Sequence, residues 1–112
     1  MVVVSEDLKS IPDAVHFKQN AVFSLKLMSA DQLQETVDVS YTLPAAPADV
    51  VFAENGQKTI TKTGVNVFSA PTLVERSYAL NGTTTGAIVL VTAAILQQVP
   101  PKTSQGTVVI LA

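Results

Sequence analysis

The sequence contains no cysteine and no tryptophan, and its 112 residues include a single histidine. Without cysteine the chain has no disulfide framework, no thiolate metal site and no cysteine nucleophile. A lone histidine has no second ligand of its own type with which to form a zinc site. No apolar run reaches the roughly 18 residues that a membrane-spanning helix needs. The sequence therefore predicts no cofactor, no metal site and no membrane insertion.

Charge is also scarce, because charged residues make up 14% of the chain whereas hydrophobic residues make up 47%. Seven basic and nine acidic residues give a net charge of −2, and the lysines are scattered along the sequence. Nucleic-acid binding usually requires a clustered basic footprint. We therefore predict that the chain binds no nucleic acid. Its length suits one compact domain over residues 1–112, and its apolar content predicts that a neighbour covers part of the surface.

Short runs of alternating apolar and polar residues recur along the chain, separated by glycine, proline and asparagine. In residues 36–43 every odd position is apolar, which is the period of a half-buried strand. Residues 21–29 follow a similar pattern. Asn55-Gly56 lies between two β-prone runs and is a strong hairpin signal, because both central residues of that turn need positive φ. About seven to nine such strands predict an all-β fold, specifically an Ig-like β-sandwich.

Three further segments carry specific predictions. Residues 2–4 are a candidate edge strand, whereas residues 5–10 are polar and are predicted to form a turn of helix before Pro12. Residues 87–96 are apolar on both faces, which predicts a central strand buried on both sides. A helix is the alternative there, but the β-branched residues favour a strand. The last strand is predicted over residues 107–111.

The groups that could carry chemistry are isolated from one another. His16 lies near Asp13, but no serine occupies a nucleophile-elbow context, so we interpret His16 as a structural or surface residue. Asp31 and Asp49 flank loops and could meet at one end of a sandwich to bind calcium. No dense run of acidic residues accompanies them, which favours solvated loops.

The remaining candidates are aromatic or loop residues. Sugar-binding sandwiches present exposed aromatic rings, but Tyr41 and Tyr78 both fall on the apolar side of their strands, which predicts core packing. Residues 81–83, Asn-Gly-Thr, match the N-glycosylation acceptor pattern, and we interpret them as a plain loop. The sequence thus predicts no catalytic, cofactor-binding or metal-binding residue, and the protein is predicted not to be an enzyme.

Four segments resemble the bacterial Ig-like repeat modules of long cell-surface and adhesin proteins. They are residues 39–44 (VSYTLP), 56–60 (GQKTI), 78–83 (YALNGT) and 86–93 (GAIVLVTA). The resemblance implies that one strand ends in Leu-Pro and that a late valine-rich strand lies in the core. It covers about two-thirds of the chain and carries over no catalytic residue.

These features predict a structural or adhesive module that is extracellular or at the cell surface, excised from a longer chain because no signal peptide is present. Its partners would be other proteins or neighbouring copies of the module, including a homo-oligomer. The uncharged triplets 2–4 and 108–110 are the candidate edge strands for such pairing. The alternatives are a carbohydrate- or calcium-binding accessory module of a secreted enzyme, and a virion decoration or tail protein.

Overall fold

The computed structural model describes residues 1–31, 33–99 and 101–112. Within these ranges the chain forms β-strands and no helix, so none of its described elements is a helix that could cross a membrane. This confirms the predicted all-β class. The strands are β1 (Val2–Ile11), β2 (Ala14–Val15), β3 (Ala21–Ser29), β4 (Glu35–Thr42), β5 (Val51–Phe52), β6 (Thr59–Val67), β7 (Thr72–Tyr78), β8 (Leu80–Asn81), β9 (Ile88–Ile95) and β10 (Lys102–Ile110).

The strands form three sheets. A three-stranded sheet has the order β1-β3-β7, a five-stranded sheet the order β2-β10-β9-β4-β6, and β5 pairs with β8 in a small third sheet. Strand β2 runs parallel to β10, and the other pairs are antiparallel. Strands β1 and β2 follow each other along the chain, but β1 belongs to the three-stranded sheet and β2 to the five-stranded sheet.

The inner faces of the two larger sheets meet in one buried core. Phe23 of β3 stacks on Tyr41 of β4 with ring centroids 5.0 Å apart and on Tyr78 of β7 at 3.8 Å, and Phe52 packs edge-on against two of these rings. Each such pair contributes about 0.5–1.5 kcal/mol beyond the area it buries. The aromatic stack thus joins the two sheets through side chains that the alternating pattern places inward.

Strand β9 is central, as predicted, because it lies between β10 and β4. The prediction that both of its faces are buried is wrong. Val89 and Ile95 are buried, but Leu90 is half-buried and Ile88 is 72% exposed. The physical reason is that the second face of β9 belongs to the outer face of the five-stranded sheet, where apolar residues remain in contact with solvent.

Residues 5–10 form part of β1, so the predicted turn of helix is wrong. Leu8 and Ser10 point inward, and the strand pairs with β3 along most of its length. Register shifts fall between Val4 and Glu6 and between Glu6 and Lys9. These irregularities break the period-two alternation, which is why the strand is hidden in the sequence.

The turn at Asn55-Gly56 is present, but the predicted hairpin is reduced to one bridge. That bridge joins Phe52 to Gln57. Strand β5 pairs with β8 and β6 pairs with β4, so the two runs that flank the turn find their main partners elsewhere. Gly56 has a φ of 67°, the left-handed conformation that the Asn-Gly signal predicts.

Candidate functional site

The structure shows no hydrogen bond or ion pair between His16 and Asp13 among the described residues. His16 is exposed, and its backbone N–H donates to Oε1 of Gln19 at 2.9 Å. The carbonyl of Asp13 instead accepts the N–H of Val109 at 3.0 Å. Among the described residues no group of three or more His, Cys, Asp or Glu side chains could hold a metal ion.

Asp31 and Asp49 do not meet, because they lie at opposite ends of the fold. Asp31 lies just beyond Ser29, at the end of β3. Asp49 contacts Thr83, in the loop that follows β8, and the nearby end of β7 at Tyr78 pairs with the start of β3. The N-terminal ammonium, 2.5 Å away, and the Ser29 hydroxyl lower the pKa of Asp31 to about 2. The alternative of a calcium site shared by this pair is therefore not supported, and both carboxylates lie in exposed loops, as the sequence favours.

Asp49 binds a loop of its own chain through four hydrogen bonds. Its carboxylate accepts the N–H groups of Thr83 and Thr84 at 2.6 and 2.9 Å and both threonine hydroxyls at 2.8 Å. These donors, the Thr83 N–H first, hold the pKa of Asp49 well below its usual range. A Cβ on Gly82 would lie 2.9 Å from the carbonyl oxygen of Asp49, so only glycine allows this close approach. Asp49 thus closes the loop that follows β8.

Tyr41 and Tyr78 are buried in the core, as predicted. The Tyr78 hydroxyl lies 2.6 Å from the Ser10 hydroxyl, whereas the Tyr41 hydroxyl has no hydrogen-bond partner among residues 1–31, 33–99 and 101–112. Burial raises the pKa of both phenols. Neither ring is exposed as a platform for a sugar.

The outer face of the five-stranded sheet is dominated by hydroxyl side chains, and we call it the hydroxyl face. Alternation places these residues outward: Thr36, Ser40 and Thr42 of β4, Thr59 and Thr61 of β6, Thr92 of β9, and Thr103 and Thr107 of β10, with the amides of Asn66 and Gln105. Two cross-strand contacts confirm this direction. The Thr36 hydroxyl donates to Oδ1 of Asn66 at 2.9 Å, and the Thr42 and Thr59 hydroxyls lie 3.3 Å apart.

Asp38 is the one carboxylate that alternation places on this face in the described part of the chain. It is engaged by two donors, Nε2 of Gln97 at 3.2 Å and the N–H of Gly64 at 3.1 Å. Gly64 has a φ of 68° at the point where the β4–β6 register shifts. The bulge thereby turns a backbone donor toward the only acidic group of the face.

Two lysines lie at the same level on the inner-face side of the five-stranded sheet, in register with buried core residues and not on the hydroxyl face. Lys62 of β6 pairs with Val39, Val39 pairs with Ile95, and Ile95 pairs with Lys102 of β10. These four residues form one transverse row that we call the lysine row. Neighbouring strands lie about 4.8 Å apart, so the two lysine Cα atoms are separated by roughly 14 Å. Both lysines are half-buried and stand at the two sides of the sheet.

The outer face of the three-stranded sheet has a different character. It carries both signs of charge, because Glu6, Lys9, Lys26 and Glu75 all point outward there. The Lys26 ammonium lies 3.5 Å from the Glu6 carboxylate. This face therefore differs from the hydroxyl face, where Asp38 is the one charged group that alternation places outward in the described part of the chain.

The hydroxyl face offers neutral hydrogen-bond donors to a polyanion. Serine, threonine, asparagine and glutamine side chains contact nucleic-acid phosphates as lysine does, and they position a protein on a backbone without reading bases. A duplex can therefore approach this face without meeting a cluster of carboxylates.

Sequence reasoning did not find this surface. Its strands come from separate parts of the chain, and only the pairing registers bring them into one sheet. A usable signal was present in the threonines at alternate positions of predicted strands, such as Thr59 and Thr61. That signal shows an uncharged outer face but does not show where its borders lie.

The chain matches no protein-family model and no curated protein. Among solved structures it is similar to the alkylpurine DNA glycosylase AlkC of Pseudomonas fluorescens bound to DNA that contains an abasic-site analogue. The TM-score is 0.55 and the sequence identity 12%, so the likeness is one of fold. The match covers 94% of this chain and 30% of the glycosylase chain.

This likeness contradicts several sequence-based predictions. Three predictions are overturned by the fold match to a DNA-bound enzyme: the structural or adhesive module, the absence of enzyme function and the absence of a nucleic-acid partner. The predictions failed because strand alternation and low charge are shared by β domains of any function. A missing basic cluster also does not exclude phosphate contacts made by hydroxyls and backbone groups.

Proposed function

We propose that this chain is a DNA-contacting β domain of a protein that acts on DNA, and that the hydroxyl face is its contact surface. The observation that carries the proposal is the density of hydroxyl and amide donors on this face, where the one carboxylate in the described part of the chain, Asp38, is engaged by Gly64 and Gln97. The fold likeness to a DNA-bound glycosylase supports the choice of DNA as the polyanion. The glycosylase activity belongs to that longer protein and is not part of this proposal.

Within this proposal the fold is an Ig-like β-sandwich. The strand order supports this fold. The chain crosses several times between the β1-β3-β7 sheet and the sheet that contains β10-β9-β4, as in Greek-key sandwiches. Strand β2 directly follows β1 in the chain. It pairs in parallel with β10 and so adds a short strand to the five-stranded sheet.

The electrostatics of the face predict weak, sequence-independent binding. The contacts on this face come from neutral donors, so the dissociation constant should be on the order of 10⁻⁴ M or weaker. The overall charge of −2 does not prevent this, because most carboxylates lie away from the face. Asp49, for example, is held by Thr83 and Thr84 in a loop beyond β8.

The proposal is tested by fluorescence anisotropy of a labelled DNA duplex, undamaged or with one abasic-site analogue, titrated with the protein at low salt. The double variant Asn66→Asp/Gln105→Glu places two carboxylates on the hydroxyl face and should lose most of the binding. The matched control is Lys9→Gln/Lys26→Gln, which makes the same change in net charge on the outer face of the three-stranded sheet and should bind like the parent protein.

A second pair of variants tests the hydroxyl face itself. Gln105→Glu keeps the size of an exposed side chain on β10 but places a carboxylate on the face, so affinity should fall. Gln57→Glu makes the same change at an exposed turn and should have no effect. Equal binding by all four variants, or no binding of either duplex by the parent protein, would overturn the proposal.

A further inference from the structure

We propose that Asn81 is a site of spontaneous deamidation, whereas Asn55, which has the same following residue, is protected by the fold. Both residues precede glycine and both are exposed. In an unfolded chain the two Asn-Gly pairs would have similar reactivity, because glycine offers no side chain to obstruct the attacking amide. The structure gives them opposite surroundings, and the inference does not depend on the proposed DNA contact.

The side chain of Asn55 is held by two hydrogen bonds. Its Nδ2 donates to the carbonyl of Thr59 at 2.8 Å, and its Oδ1 accepts the N–H of Gln57 at 2.9 Å. The amide of the next residue, Gly56, donates to the carbonyl of Phe52 at 2.8 Å. The side-chain amide of Asn55, which would be attacked, and the nitrogen of Gly56, which would attack it, are therefore each held by hydrogen bonds to other residues.

At Asn81 the backbone nitrogen and the side-chain carbonyl group contact each other instead. The Gly82 N–H donates a hydrogen bond to Oδ1 of Asn81 at 3.0 Å, which holds the attacking nitrogen next to the carbonyl group that contains Cγ. Gly82 has a φ of 155° and cannot be replaced by a larger residue without a clash against Asp49. Close packing against Asp49 requires glycine at position 82, so the reactive Asn-Gly sequence cannot be removed at that position without a clash.

The reaction needs only water. The Gly82 nitrogen loses its proton to solvent and forms a bond to Cγ of Asn81, and the C–N bond of the side-chain amide breaks to release ammonia. The resulting succinimide ring is opened by water at either carbonyl. The products are an aspartate or an isoaspartate at position 81, each with one new carboxylate and no change in oxidation state.

The site lies where the new group would change local structure. Asn81 pairs with Val51 in the small β5–β8 sheet, and the Asp49 loop follows directly. An isoaspartate adds a methylene to the main chain, which shifts the register of this pair. The added negative charge stands near Asp49, whose carboxylate already takes the donors of Thr83 and Thr84.

The test is incubation of the purified protein in mildly alkaline buffer, followed by proteolysis and mass spectrometry of the peptides that contain each asparagine. In the folded protein Asn81 should convert about tenfold faster than Asn55 or more, because the bonds of Asn55 and Gly56 must open first. In a denaturant the two rates should become similar. Asn81→Gln should remove the early product, and the matched Asn55→Gln should leave it unchanged.

Equal rates in the folded protein would overturn the inference, as would faster conversion of Asn55. A stable Asn81 in folded protein that reacts readily in denaturant would also overturn it, since the native geometry would then protect both sites.

Discussion

The hydroxyl oxygen of Tyr78 lies 2.6 Å from Oγ of Ser10, inside the three-stranded sheet's buried face. The Ser10 hydroxyl also donates to the carbonyl of Pro12 at 2.7 Å. This short chain of polar contacts joins β7 to β1 across the intervening strand β3. Tyr41 stands at the other end of the same aromatic stack, and its hydroxyl has no partner in the described part of the protein.

The two tyrosines should therefore respond differently to loss of the hydroxyl group. We expect Tyr78→Phe to lower the free energy of unfolding by about 1 kcal/mol, the usual net value of one buried hydrogen bond. Tyr41→Phe should be neutral or stabilising, because it removes a buried polar atom that makes no bond. Urea denaturation of the two variants measures the difference. A larger loss for Tyr41→Phe would show that its hydroxyl has a partner in solution.

Strand β9 offers the same substitution at a buried and an exposed position. Ile95 is fully buried, so Ile95→Ala should cost roughly 2–5 kcal/mol through lost burial and the cavity left behind. Ile88 is 72% exposed, and Ile88→Ala should stay within about 0.5 kcal/mol. Thermal and chemical denaturation give both values. Similar costs at the two sites would mean that the outer face of β9 is covered in solution.

Acid should weaken the Asp49 loop. The folded-state pKa of Asp49 lies below its ordinary value of 3.8, so its contribution to stability is fully present above that pH. The contribution is lost as the pH falls through the lower folded-state pKa. Asp49→Asn should flatten this acid limb in a series of urea midpoints measured against pH. Glu75→Gln, on the outer face of the other sheet, is the control and should keep the limb.

Salt dependence should count the charged contacts to DNA. Because the hydroxyl face contributes neutral donors, the logarithm of the binding constant should fall only weakly against the logarithm of salt concentration, with a slope shallower than about −1. The double variant Lys62→Gln/Lys102→Gln should leave this slope unchanged. A slope of about −2 or steeper in the parent protein would place the DNA on lysine or arginine side chains instead of the hydroxyl face.

Local pattern was enough to predict several strands. Residues 36–43 alternate cleanly, and residues 21–29 do so except at Val22 and Met28, because each strand has one face in the core. In residues 87–96 the β-branched composition correctly favoured a strand over a helix, and the apolar residues on both faces predicted its central position. Their outer face was misjudged, because Ile88 and Leu90 are apolar yet lie outside the core.

Pairing between distant strands could not be predicted in this way. Strand β5 pairs with β8 rather than across the Asn55-Gly56 turn, and no residue near the turn indicates that choice. The hydroxyl face depends on three registers at once, and a shift of one residue in any of them would move the hydroxyls of that strand to the other face of the sheet. Register is set by packing of whole faces, so the candidate site is visible only in the folded chain.

The contact between β1 and β10 has a consequence for the order of folding. The Leu8 N–H donates to Oγ of Ser104 at 2.8 Å, and the Leu8 carbonyl leaves no room for a Cβ at Gly106. These partners are 96 residues apart in sequence. Contacts of such separation are costly to close and slow the folding of β proteins. During synthesis β1 can pair with β3 early, but it must wait for β10 to leave the ribosome before the two sheets are joined along this edge.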